Sequence, residues 1–198
     1  MKVTELRLLQ VSGTMESGGE FWEERLIRPI DVYPEHRVEG PAFLEKLGEG
    51  RYRLEQVFVR IETDEGVSGV AGPIRLDQAF VIDTQLRPLV VGADPLAHEL
   101  IWDKLYRFSV HGRKGTTMMA ISAIDCALWD LKGRWANAPV YRLLGGPIRT
   151  EIPAYASALG YSIEPGRAAA RAREFVEQGY RATKWFFRHG PADGPSGM

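Results

Sequence analysis

Residues 151–187 read in the order strand, helix, strand, and this order constrains the chain more than any other feature. "EIPAYAS" has the length and composition of a short strand. "EPGRAAARAREFVEQG" reads as a helix, with Ala168, Ala172, Phe175 and Val176 facing inward and Gly179 as its C-cap. "YRATKWFF" reads as a second strand. Strand, helix and strand in succession make a βαβ unit, whose two strands lie parallel in one sheet. A parallel sheet is covered on both faces, and a single unit cannot supply that cover. Residues 150–198 are therefore expected to begin a second domain that is completed by chain beyond Met198.

Residues 1–149 have a different pattern. "VTELRLLQ" alternates as a strand does, and so does "LEQVFVRIET", with Val57, Val59 and Ile61 on one face. "DEG" then turns the chain into "VSGVAG", a hairpin. Three helices are predicted to follow. The first ends at about Arg87 because Pro88 disfavours helical backbone before it. The second starts with Asp94 as N-cap and Pro95 in its first turn. The third runs from Thr116 to Trp135, with Ile121, Ile124, Leu128, Leu131 and Trp135 on one stripe and Ala120, Ala123 and Ala127 on an adjacent small face. The expected fold class is α+β: a three-stranded antiparallel meander and a helical bundle, followed by the first β/α units of an α/β domain. Between the first two strands lies "SGTMESGGEFWEERLIRPIDVYPEHRVEGP", long for a connection and rich in aromatics for a disordered one, so it is read as a functional loop.

Composition narrows the partners. A net charge of −1 over 198 residues argues against a nucleic-acid ligand, which needs a basic field. Single arginines remain available for an acidic small molecule. The lone Cys126 excludes an internal disulfide framework and fits a reducing, cytoplasmic setting. The first residues lack a signal-peptide core, and no apolar run approaches the roughly 20 residues that would span a bilayer.

Ala120 to Gly145 reads "AISAIDCALWDLKGRWANAPVYRLLG". Through Ala120, Ser122, Ala123, Ile124, Asp125, Ala127, Leu128, Asp130, Leu131, Gly133, Arg134, Pro139, Val140, Leu143, Leu144 and Gly145 it resembles the first signature of the mandelate racemase / muconate lactonizing enzyme family, within the enolase superfamily. The residues themselves read as structural. Asp130 and Arg134 are four apart and can pair on a helix. Asp125 and Asp130 sit about 140° apart around the helix, a poor acid/base pair. Cys126 reads as a small helix residue, with no activating neighbour. The resemblance implies a capping domain over a modified TIM barrel and one Mg²⁺ held by carboxylates on the third, fourth and fifth barrel strands. In this chain those ligands are expected beyond Met198, with none before it. It also implies removal of the proton α to a substrate carboxylate, for which a Lys or His base with Mg²⁺ is the superfamily's arrangement. A homo-oligomer is expected.

The second strand carries the chemical candidate. Ala182, Lys184 and Phe186 share one face, and Thr183, Trp185 and Phe187 the other. The aromatic face suits packing on helices, which turns Lys184 inward, where a desolvated ammonium needs a charged partner. Lys184 matches the first lysine of the family's Lys-x-Lys, while Phe186 replaces the second, and the clearest case for two-base racemisation goes with it. "RHGPADGPSG" resembles the corresponding loop of acid-sugar dehydratases related to rhamnonate dehydratase. That likeness puts Phe21 and Trp22 over the substrate, with Phe21 where those enzymes have histidine. Arg25 and Arg28 are candidates for sugar-acid groups, or else pair at the surface with Glu23 and Glu24. Arg188 and His189 are candidates on the barrel rim. His36 and His98 are expected at the surface, and His111 could contact an anion at the N-terminus of the helix that follows it. The leading expectation is Mg²⁺-dependent dehydration of a sugar acid to a 2-keto-3-deoxy acid. A racemase, epimerase or cycloisomerase with Lys184 as one base stands second, and a non-catalytic capping or interaction fragment third.

Overall fold

A computed structural model describes residues 1–24, 26–37 and 44–186. Along the chain lie β1 (Val3–Glu16), β2 (Glu45–Gly48), β3 (Arg51–Thr63), β4 (Ser68–Ile74), α1 (Leu76–Val81), α2 (Arg87–Val90), α3 (His98–Phe108), α4 (Thr116–Trp135), α5 (Val140–Leu143), β5 (Ala156–Ser157), α6 (Pro165–Glu177) and β6 (Thr183–Lys184). They form two compact units: Met1–Gly13 with Glu55–Thr150, and Thr14–Leu54 with Glu151–Met198.

In the first unit, β3 is the central strand. It pairs with β1 and, antiparallel, with β4, where Ile61 sits opposite Gly69. The short β2 adds a fourth strand, antiparallel to the start of β3, through residues that belong to the second unit. Alternation on β3 buries Val59 and Ile61, and Val3 and Leu6 of β1, three residues apart, join the same core cluster. α4 packs on β4 and beside α1 and α3. Its stripe of Ile121, Ile124, Leu128 and Leu131 is at most 1% exposed, and Ala120 and Ala127 are fully buried. Trp135, predicted to continue this stripe, is half exposed, since it falls in the last turn of the helix.

Three local predictions are corrected. The helix after β4 does not stop at Arg87. A π-helical turn at Ile82–Leu86 takes up Pro88, which lacks an N–H, and α2 continues to Val90. Asp94 does not cap α3. Its carboxylate accepts the Leu96 N–H at 3.0 Å in a turn, and the helix begins at His98. His98 is buried rather than at the surface, with its ring 4.5 Å from that of Trp129 in edge-on contact.

Asp130 ties α4 to the sheet. One of its oxygens accepts the Val70 N–H at 2.8 Å and the Arg134 Nε–H at 2.9 Å. The two partners differ in weight. The amide is left without an acceptor when the carboxylate goes, whereas Arg134 is exposed enough for water to replace its partner. Asp130→Ala is therefore expected to cost about 1–2 kcal/mol of stability, and Arg134→Ala under about 0.5 kcal/mol. Equal losses for the two in chemical denaturation would contradict this division.

In the second unit, β5 and β6 pair in parallel, with Ala156 opposite Thr183 and Ser157 opposite Lys184. α6 joins them, completing a βαβ unit. The buried side is small: Ala156, Ala158 and Phe175, with Tyr161 and Trp185 packed against them. Gly179 closes α6 at φ 92°, a conformation that glycine adopts without strain. Val176, predicted inward, is 66% exposed. It lies about 100° around the helix from Phe175, outside the narrow stripe that two short strands can cover.

Candidate functional site

The first part of the site comes from the long loop after β1. Glu20 accepts the Tyr52 hydroxyl at 2.7 Å and pairs with Lys46. Hydrogen bonds from Lys46, first, and Tyr52 hold the Glu20 carboxyl below its usual range. The Phe21 N–H in turn donates to the Tyr52 hydroxyl at 3.1 Å, and Tyr52 is 2% exposed. The Phe21 ring lies 6.0 Å from that of Tyr52 and 6.2 Å from that of Trp22. Phe21 and Trp22 thus form one aromatic cluster, fixed from below by β3.

From there the loop docks onto the turn that follows β5. The N–H groups of Glu23 and Glu24 donate to the Gly160 carbonyl at 2.7 and 3.3 Å. The Trp22 indole lies flat enough on Gly160 that a Cβ there would come within 2.8 Å of the ring. The Glu23 carboxylate accepts the Ser162 N–H at 3.0 Å and pairs with Arg167 at 2.9 Å and Arg171 at 3.2 Å. Glu24 accepts the Ile163 N–H at 3.4 Å.

Arg28 is used differently from either sequence reading. Its guanidinium pairs with Asp31 at 3.1 Å and donates to the His36 carbonyl at 2.7 Å. Asp31 is fully buried and also accepts the Arg28 N–H at 2.7 Å. Arg28 therefore folds its own loop, and the expected pairing with Glu23 or Glu24 does not form, because Glu23 is engaged across the unit by α6. Arg25, Arg188 and His189 lie outside the described residues.

Lys184 occupies the face of β6 away from α6. Trp185, on the other face, packs toward Ala156, Ala158 and Phe175. The ammonium donates to the Tyr155 hydroxyl at 3.2 Å and lies 5.1 Å from the ring centroids of both Tyr155 and Phe186. The expected desolvation of this lysine beside a charged partner is not met among the described residues. Lys184 is exposed, since α6 covers one face of this two-stranded sheet and its neighbours on the other, among the described residues, are the Tyr155 phenol and the Phe186 ring. Tyr155 was not singled out from the sequence. Its signal was parity: Tyr155, the residue before β5, is two positions from Ser157, and the register sets Ser157 beside Lys184. A cation held over aromatic faces beside a hydroxyl suits an organic anion with C–H surface.

His36 is exposed and meets Tyr33 edge-on at 6.4 Å. His111 is exposed, and at the start of α4 the Thr116 hydroxyl already donates to Asp77 at 3.3 Å. Cys126 is exposed on α4. Asp125 is half-buried, and desolvation pushes its carboxyl up, with His98 opposing the shift. Among the described residues no three His, Cys, Asp or Glu side chains converge, so they do not supply a Mg²⁺ ligand set. Among them, too, no helix is long and apolar enough to cross a membrane.

Residues 49–145 match the mandelate racemase / muconate lactonizing enzyme N-terminal domain, and that stretch includes β3, β4 and the whole of α4. The chain belongs to the mandelate racemase / muconate lactonizing enzyme family. A family relative, the L-rhamnonate dehydratase of Saccharopolyspora erythraea, is 32% identical over 205 aligned residues, covering 100% of this chain and 48% of that protein. A crystal structure of an enolase superfamily member from Polaromonas sp. JS666 aligns at TM-score 0.66 and 29% identity, over 96% of this chain and 45% of that one. A mandelate racemase/muconate lactonizing protein from Paracoccus denitrificans PD1222, complexed with magnesium, aligns at TM-score 0.60 and 30% identity, over 69% of this chain and 39% of its own. The chain spans about half the length of the relatives it matches. Residues 49–145 correspond to the family's N-terminal capping domain.

Proposed function

We propose that the protein is an acid-sugar dehydratase: it removes the α-proton and the β-hydroxyl of a sugar acid as water, and the resulting enol becomes a 2-keto-3-deoxy acid. The observation that carries this reading is the docking of Trp22–Glu24 onto residues 160–163, at the C-terminal end of β5. In barrels of this kind substrate is met at the C-terminal ends of the strands. Similarity to an L-rhamnonate dehydratase along the whole chain supports the same class. In this reading Phe21 and Trp22 cover the C–H surface of the sugar acid. Lys184, held by Tyr155, meets its carboxylate or its α-proton, and Phe186 leaves the strand with one amine rather than two. Arg28 acts on the loop. Arg25, Arg188 and His189 remain proposed contacts at the rim. The Mg²⁺ dependence of the reading comes from the family, and no step is drawn through the metal from the described residues.

The test is a screen of the full-length protein, with Mg²⁺, against aldonic acids that include L-rhamnonate. The expected result is a keto-acid product from at least one of them, scored as its semicarbazone. No product from any acid, alongside exchange of the α-hydrogen with solvent deuterium, would replace the dehydratase with a racemase or epimerase.

A further inference from the structure

We infer that Glu23 is a positioning residue, the anchor that fixes Trp22 at the mouth of the site; the inference rests on the proposed reading of that site. Glu23 is tied at both ends. Its N–H donates to the Gly160 carbonyl at 2.7 Å, and its carboxylate reaches past that turn to three donors. One oxygen takes the Ser162 N–H at 3.0 Å and Arg167 at 2.9 Å; the other takes Arg171 at 3.2 Å. Arg167 and Arg171 are four residues apart, so they project from one face of α6 as a two-pronged clamp. Arg171 is further held with its guanidinium 4.3 Å above the Tyr161 ring and by its pair with Glu174. The Glu23 side chain is only 16% exposed, unlike the surface ion pairs of this chain, and charge-assisted bonds of this kind hold geometry as well as energy.

The residue just before Glu23 is Trp22, whose ring rests on Gly160. A shift at Glu23 is therefore a shift at the indole. A displaced binding surface weakens substrate in the ground and transition states alike, which raises KM more than it lowers kcat. The amide of glutamine can still accept from Ser162 but no longer pairs ionically with two guanidiniums.

The experiment uses the full-length protein labelled with 5-fluorotryptophan, the Trp22 resonance being assigned by its loss in Trp22→Phe. In Glu23→Ala the Trp22 resonance is expected to move and broaden while those of Trp102, Trp129 and Trp135 stay in place. KM for the acid that the protein converts is expected to rise about tenfold with kcat within about threefold; Glu23→Gln falls between. Arg167→Ala, which removes one prong, moves the resonance the same way by less, and it stands in if Glu23→Ala fails to fold. An unmoved Trp22 resonance overturns the inference. A moved resonance with unchanged KM overturns the positioning role and leaves the dehydratase reading standing. If the wild-type protein converts no acid, that reading fails instead, and the resonance alone decides whether Glu23 is the anchor.

Discussion

Gly69→Ala is expected to be the most damaging small substitution in the first unit, costing about 3 kcal/mol, the upper end for overpacking. A Cβ at Gly69 would stand 2.1 Å from the Ala127 carbonyl oxygen, 2.5 Å from the Leu131 nitrogen and 2.7 Å from the Leu131 Cβ. Two of these atoms are helix backbone, which cannot swing aside as the tip of a side chain can. Nor can the strand retreat. The neighbouring Val70 N–H is bonded to Asp130 on the same helix, and Gly69 itself is paired with Ile61 at the centre of the sheet. Accommodating one methyl group therefore means separating β4 from α4, which uncovers Leu128 and Leu131. For a chain of this length the melting temperature should fall by about 6–12 °C. A variant that melts within 1 °C of the wild type would show that β4 and α4 are not packed backbone to backbone.

Lys184→Met should do the opposite, leaving the fold alone while removing activity. The side chain is exposed, and a methionine of similar length can rest on the same Tyr155 and Phe186 rings, so stability should stay within about 0.5 kcal/mol. Under the proposed reading, kcat/KM on the converted acid falls at least 100-fold, the lower limit typical of a lost proton-transfer group. The partition of that loss assigns the role. A fall in kcat alone makes Lys184 a proton-transfer residue, and a rise in KM alone makes it the carboxylate contact. Activity within threefold of the wild type would remove Lys184 from the site.

What could be read from the sequence divides along physical lines. The α4 stripe was legible because its periodicity and its burial have one cause, a single helix covered on one side. The βαβ order was legible because each element carries its own pattern. Pro88 and Asp94 misled because each has two solutions. A proline can end a helix or be absorbed by a π turn, and an aspartate can cap a helix or close the turn before one. Trp135 and Val176 lay on correct helices but at the edges of the buried face, where a hydrophobic pattern does not reveal how wide the covering layer is. Parity puts Lys184 on the face of β6 opposite Trp185, but its Tyr155 partner emerges only from the register between two strands. The role of Glu23 left no trace at all, since its side-chain partners lie 139 to 148 residues away and nothing local distinguishes it from Glu24.

That separation has a price in time. At the usual pace of translation, roughly 5–20 residues per second, the segment that receives Trp22 leaves the ribosome about 7–28 s after the tryptophan does. During that interval the first unit's sheet and helices can form, but the aromatic loop has nowhere to dock, and closing so long a span is entropically costly. The Phe21–Trp22 surface thus settles only after the first unit's sheet and helices can form, and a holdase that shields these two rings during synthesis would act on a vulnerability written into the order of the residues.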